Sequence, residues 1–153
     1  PSSCCSGRAD MTLGAQIGYG TGSLALCSAL HLALILFSLV LLNRHAALQR
    51  RKFSLQRAAR LIGATFLLIV IGHVAQVWGW AVAYRWVGAV EGVEPALYFA
   101  LSNYTTLGYG DILLGEDLRL FGAFASINGM LIFGVSTAYL VGIIGRVLPK
   151  GLQ

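Results

Sequence analysis

Charge is in short supply in this sequence. Only 11% of its 153 residues are Asp, Glu, Lys or Arg and 57% are hydrophobic, whereas a soluble domain carries about 25% charged residues. That composition excludes an ordinary water-soluble globular domain, and the length leaves no room for two domains. Cysteine is scarcer still, at three residues. Cys4 and Cys5 are adjacent and Cys27 lies in an apolar run, which makes neither a disulfide framework nor a metal site. No metal-ligand cluster, nucleophile-and-base pair or phosphate loop is legible, so the expectation is a non-enzyme without a cofactor. No apolar run carries a regularly spaced Arg series, which argues against a voltage sensor of the usual kind.

What is there in quantity is apolar chain. Residues 24–42 contain no charge and, as a helix, span about 28 Å, close to a bilayer core. A signal peptide has a shorter apolar core with its basic flank in front; here the basic flank comes after. A second run covers residues 61–84, with Trp78, Trp80, Tyr84 and Trp86 near its far end, where aromatic rings favour the headgroup level. The third, residues 118–147, is long enough to cross with some tilt.

The sparse charge is sided. Arg44, Arg50, Arg51, Lys52, Arg57 and Arg60 lie between the first two runs with no acid among them. Between the second and third, five acids (Glu91, Glu94, Asp111, Glu116, Asp117) face two cations, a net of −3. The overall +5 is therefore a difference between two faces, and nucleic acid is not an expected partner. The positive-inside rule keeps the basic loop in the cytoplasm, which puts the N-terminus outside and the C-terminus, with Arg146 and Lys150, inside. The same loop could bind anionic lipid headgroups. The expected divisions are an outer segment 1–20, a peripheral helix 21–43 packed against the second span, a basic loop 44–60, a unit 61–148 that holds the second and third runs, and a tail 149–153. Met11 reads as a candidate initiator, and nothing is built on residues 1–10.

The outer acidic segment contains Glu94-Pro95 and then ALYFALSNYTT, read as a helix of about 12 residues with Pro in its first turn. It is apolar but too short to span, which predicts a re-entrant helix. Irregular backbone at that depth is tolerated only beside protein or a water-filled cavity. The helix runs directly into Thr105-Thr106-Leu107-Gly108-Tyr109-Gly110-Asp111. Glycine takes positive φ without a Cβ penalty, so Gly108 and Gly110 allow successive carbonyls to face one way. A second Gly-Tyr-Gly at 18–20 lacks the preceding short helix and Thr pair, and reads as a loop.

Over roughly residues 95–142 the chain resembles the tetrameric potassium channels, whose usual filter is Thr-Val-Gly-Tyr-Gly-Asp. The resemblance implies an all-α membrane protein: three transmembrane helices, a re-entrant pore helix and filter between the second and third, and a fourfold homotetramer. It implies K+ sites on the carbonyls of Thr106, Leu107, Gly108 and Tyr109, with the Thr106 hydroxyl below, Gly110 closing the motif and Tyr109 turned into the pore-helix layer. Leu107 stands in place of Val. Ser102 occupies a position where some bacterial members carry a Glu that pairs with the filter Asp, leaving Tyr98 as a candidate donor to Asp111; Thr105 completes the filter support. In GMLIFGVSTAYL, Gly129 falls near the family's hinge glycine, and plain helix packing is the competing role. Met130, Phe133, Thr137 and Val141 share one helical face, assigned to the cavity and inner gate. Three-span proteins of this size resemble small bacterial ion channels of the inner membrane. A non-selective cation channel and a non-conducting modulatory subunit are the alternatives. His31 and His73 read as neutral, hydrogen-bonded residues, although ionisable groups inside a span also mark function.

Overall fold

The computed structural model describes residues 11–47 and 54–147, and side chains for 11–44 and 54–147. Arg50, Arg51, Lys52, Cys4, Cys5 and the expected tail 149–153 lie outside the described residues. Four helices succeed one another: α1 (Leu13–Ala47), α2 (Leu55–Trp86), α3 (Val93–Tyr104) and α4 (Arg119–Val147). Among the described residues there is no strand. Three of the helices, α1, α2 and α4, are long and apolar enough to cross a membrane. The all-helical class with three such spans is therefore the observed fold.

The exposed faces are as apolar as the interior, which suits lipid rather than water. Leu26, Leu30, Leu36 and Phe37 on α1 and Val82 on α2 are each about three-fifths exposed, and Trp86 on α2 more so. The tightly packed part is where α2, α3 and α4 meet. Trp80, Tyr84 and Phe121 are buried there; the Tyr84 ring stands edge-on to Phe99 at 5.0 Å and to Phe121 at 5.6 Å. Each such pair adds about 0.5–1.5 kcal/mol beyond area burial. Ala96, Ala100 and Ala125 are fully buried, and their small side chains let the short α3 sit close between the long helices. The Tyr84 hydroxyl, otherwise stranded, donates to the Gly122 carbonyl at 2.9 Å.

Helix α1 departs from expectation in two ways. It begins at Leu13 rather than near residue 21, so Gly18-Tyr19-Gly20 is helical and not a loop. The reason is packing: Gly20 lies against the Phe124 ring of α4, where a Cβ would collide, and Tyr19 meets Trp86 edge-on at 6.1 Å. Nor is α1 packed against the second span alone. Its polar side chains reach α4 along its length: Ser28 Oγ donates to Asn128 Oδ1 at 3.3 Å, His31 Nε2 lies 2.9 Å from Ser136 Oγ, and Ser38 Oγ accepts from Tyr139 at 2.8 Å. At its start, Gln16 Oε1 accepts from the N–H groups of Leu120 and Phe121. Those are donors that the first turn of any helix leaves without an internal partner, so α1 caps α4.

Candidate functional site

The candidate site begins where α3 ends. The last carbonyls of a helix lack partners within it, and here Leu101, Ser102 and Asn103 find theirs in the chain that follows and on α4. Leu101 O accepts from Thr105 N and Oγ1; Asn103 O accepts from Thr106 N and from Ser126 Oγ on α4. Ser102 O accepts from Leu107 N at 2.9 Å and Gly108 N at 3.3 Å. Ser102 itself is buried. The chain leaving α3 is thus held by its N–H groups against the end of the helix.

Its backbone then alternates in hand. Thr106 has φ 61°, Gly108 53° and Gly110 76°, while Leu107 and Tyr109 between them have negative φ. Alternation of this kind turns successive carbonyls to one side. The carbonyls of Thr106, Leu107, Gly108 and Tyr109 accept no hydrogen bond among the described residues. Sequence reasoning singles out the two glycines for positive φ and not Thr106, for which a left-handed conformation costs about 1–2 kcal/mol. The hydrogen bonds on either side, Thr106 N to Asn103 O and Leu107 N to Ser102 O, hold it there. Leu107 and Tyr109 are 58% and 69% exposed, so in the single chain Tyr109 packs against no layer of its own.

Beyond the segment, Asp111 is exposed and accepts from Ile112 N at 3.1 Å. The Tyr98 phenol donates to its carboxylate and, outweighing desolvation, holds its pKa below the usual aspartate range. A carboxylate with a depressed pKa keeps its native hydrogen bond above that pKa and loses it as pH falls through it. Tyr98→Phe is expected to raise the Asp111 pKa toward the ordinary value, which a carboxyl-carbon NMR titration of wild type and variant checks; an unmoved titration refutes the pairing.

On the other side the segment opens onto a groove of about 770 Å³ bounded by α2, α3 and α4. Thr105, Thr106, Met130, Phe133 and Thr137 line it. Met130 and Phe133 are each 68% exposed; Val141 is exposed on the same helix but lies outside the groove lining. Gly129 is buried where α4 crosses the end of α3, and a Cβ on it would collide with the Tyr104 backbone carbonyl. Close packing is thus its visible role.

Two amides that sequence reasoning does not single out also tie the helices together. Asn128 Nδ2 donates to Gln76 Oε1 at 2.6 Å, joining α4 to α2, while Asn128 also accepts from Ser28 of α1. An amide inside a charge-free apolar run is the signal that could have found them, because such a group in a membrane needs a partner. Among the described residues no three His, Cys, Asp or Glu gather as a metal site.

No curated protein and no solved structure matches the sequence. The family model described as "Ion channel" matches residues 64–146, from the first third of α2 almost to the end of α4. That stretch is over half of the sequence and contains α3 and the alternating segment; the chain belongs to this ion channel family.

Proposed function

We propose that four copies of the chain form a potassium-selective channel whose filter is the segment Thr106-Leu107-Gly108-Tyr109-Gly110. The observation that carries this reading is the set of four partnerless carbonyls on a backbone of alternating hand, with the N–H groups tied back to Ser102. One strand cannot surround an ion. Rings of carbonyls that replace a hydration shell need several copies about one axis, and cyclic symmetry closes the assembly. The Thr106 hydroxyl supplies the innermost ligand.

Asp111, Tyr98, Ser102 and Thr105 support the filter. Met130, Phe133, Thr137 and Val141 line the path toward the cytoplasm, and Gly129 serves as a bending point as well as a packing contact. The tetramer sits in the cell membrane, consistent with a bacterial inner membrane, with the basic loop inside and in reach of anionic headgroups. The acidic segment then forms the outer mouth. Its net −3 per chain becomes −12 over four copies, which concentrates cations at the entrance. Ions then pass in single file, displacing one another from site to site. No enzymatic activity and no resident cofactor belong to this reading.

The test is flux from liposomes holding the purified protein. Potassium flux is expected to exceed sodium flux by at least about a hundredfold, equivalent to about 2.8 kcal/mol of discrimination, and to be blocked by barium. Equal fluxes favour a non-selective cation channel of the same fold. No flux across lipid conditions from an assembled tetramer favours a non-conducting subunit.

A further inference from the structure

Two histidines meet among the helices at the level where α3 ends. His31 of α1 and His73 of α2 face each other with ring centroids 5.4 Å apart. His31 is 2% exposed, and its Nε2 bonds Ser136 Oγ on α4. His73 Nδ1 lies 2.8 Å from the hydroxyl of Tyr104, the final residue of α3. The pair therefore touches all four helices.

His31 Nδ1 is buried and has no hydrogen-bond partner. A buried N–H without an acceptor is costly, so the hydrogen-bond pattern assigns the proton to Nε2 and leaves Nδ1 as a bare lone pair. Gly72 provides the space beside it, since a Cβ there would stand 3.0 Å from that nitrogen. Both outer partners, Ser136 and Tyr104, are hydroxyls and can accept as well as donate. The added proton therefore falls to His73, which keeps its bond to Tyr104 in either charge state, whereas on His31 Nδ1 it would be a buried N–H without an acceptor. No acid competes for it: the charged residues of the helices, Arg44, Arg57, Arg60, Arg85, Glu94, Arg119 and Arg146, all sit toward helix ends. The titratable neighbours are Cys27 on α1, Tyr104 on α3 and, further along α4, Tyr139 bonded to Ser38.

We propose that His31 and His73 form a proton-binding site that regulates conduction, so that uptake of one proton by the pair lowers cation flux. This rests on the reading of the chain as a cation conductor. Two rings this close do not both carry charge, and the pair titrates as a unit. His73 lines the same groove as Thr106 and Met130, and a cation on that wall opposes a permeating cation at the inner end of the filter. A protonated His73 donates from Nδ1 to the Tyr104 hydroxyl, and the Tyr104 backbone carbonyl packs on Gly129 of α4. The pore helix and the inner helix therefore both feel the change.

The experiment is potassium flux from liposomes holding the full chain, between about pH 8 and about pH 5, where histidine changes charge. Asp111, held below the usual carboxylate range, stays ionised throughout. Wild-type flux is expected to fall at least about fivefold on acidification, the lower end of ordinary coupling between sites. His31→Gln with His73→Asn, whose amides replace the bonded Nε2 toward Ser136 and the bonded Nδ1 toward Tyr104 but bind no proton, is expected to keep its high-pH flux through the acid end. A double variant with the wild-type pH response overturns the proposal, as does wild-type flux indifferent to pH. A chain that conducts nothing at any pH overturns the conduction reading as well. Side-chain nitrogen shifts of His31 and His73 in the assembled wild-type protein decide the matter if the double variant does not assemble: a coupled titration sharing one proton supports the site, and two independent titrations overturn it.

Discussion

Replacing Gly108 by alanine abolishes potassium-selective flux, with an expected loss of at least about a hundredfold. Space is not the obstacle, since a Cβ at this position meets nothing within 4 Å in the single chain. The obstacle is conformation: φ is 53°, and an L-residue held in the left-handed region costs about 1–2 kcal/mol. Four copies bring that to about 4–8 kcal/mol in a single ring, and every 1.4 kcal/mol is a factor of ten. The peptide joining Leu107 to Gly108 relaxes by rotating, and the Leu107 carbonyl leaves the axis. Ratios of potassium to sodium flux for variant and wild type measure the effect. Unchanged selectivity would remove the filter assignment.

Gly129→Ala is expected to do comparable damage by a different route. Here φ is ordinary and space is the problem, because the added methyl meets the Tyr104 carbonyl, a backbone atom that cannot rotate aside. Overpacking a tight contact costs about 1–3 kcal/mol or more per chain. The strain falls where α4 crosses the end of α3. Assembled protein, measured by size exclusion in detergent after a heating series, is expected to collapse at a markedly lower temperature than wild type. Gly63→Ala on an open face of α2, where a Cβ meets nothing within 4 Å, is the control and is expected to hold or gain stability. Equal melting of wild type and Gly129→Ala would show that α4 does not lean on α3 there.

Much of this molecule is legible in its sequence because a bilayer imposes so few solutions. The run at 118–147 becomes α4 almost residue for residue, the run at 61–84 lies within an α2 that begins six residues earlier and ends two later, and Glu94-Pro95 falls in the first turn of α3 as expected of Pro. The alternating segment is legible at Gly108 and Gly110 since only glycine takes positive φ cheaply. Thr106 is not, because its left-handed φ is imposed from outside, by the bonds from Thr106 N to Asn103 O and Leu107 N to Ser102 O. Helix α1 is the larger surprise. Residues 13–20 carry glycine, glutamine and a Gly-Tyr-Gly that read as loop, and only the proximity of Phe124 and the free N–H groups of Leu120 and Phe121 explain why they are helical and why Gln16 is there. Polar residues scattered on α1 look like background until their partners on α4, one hundred or more residues away, are in view.

Those partners change how the first helix is understood. Capped by Gln16 and bonded at Ser28, His31 and Ser38, α4 is held by α1 along most of its length. In the proposed channel α4 is the inner helix, so α1 braces the element that lines the pore.

The central claim is that four copies bring the carbonyls of residues 106–109 around one axis, where they bind potassium. Crystals of the assembled protein grown in thallium or rubidium, with anomalous scattering recorded, test it directly. A fourfold axis is expected, with a row of ion density between the carbonyls of Thr106, Leu107, Gly108 and Tyr109. An assembly without that axis, or an axis with no ion beside those carbonyls, contradicts it.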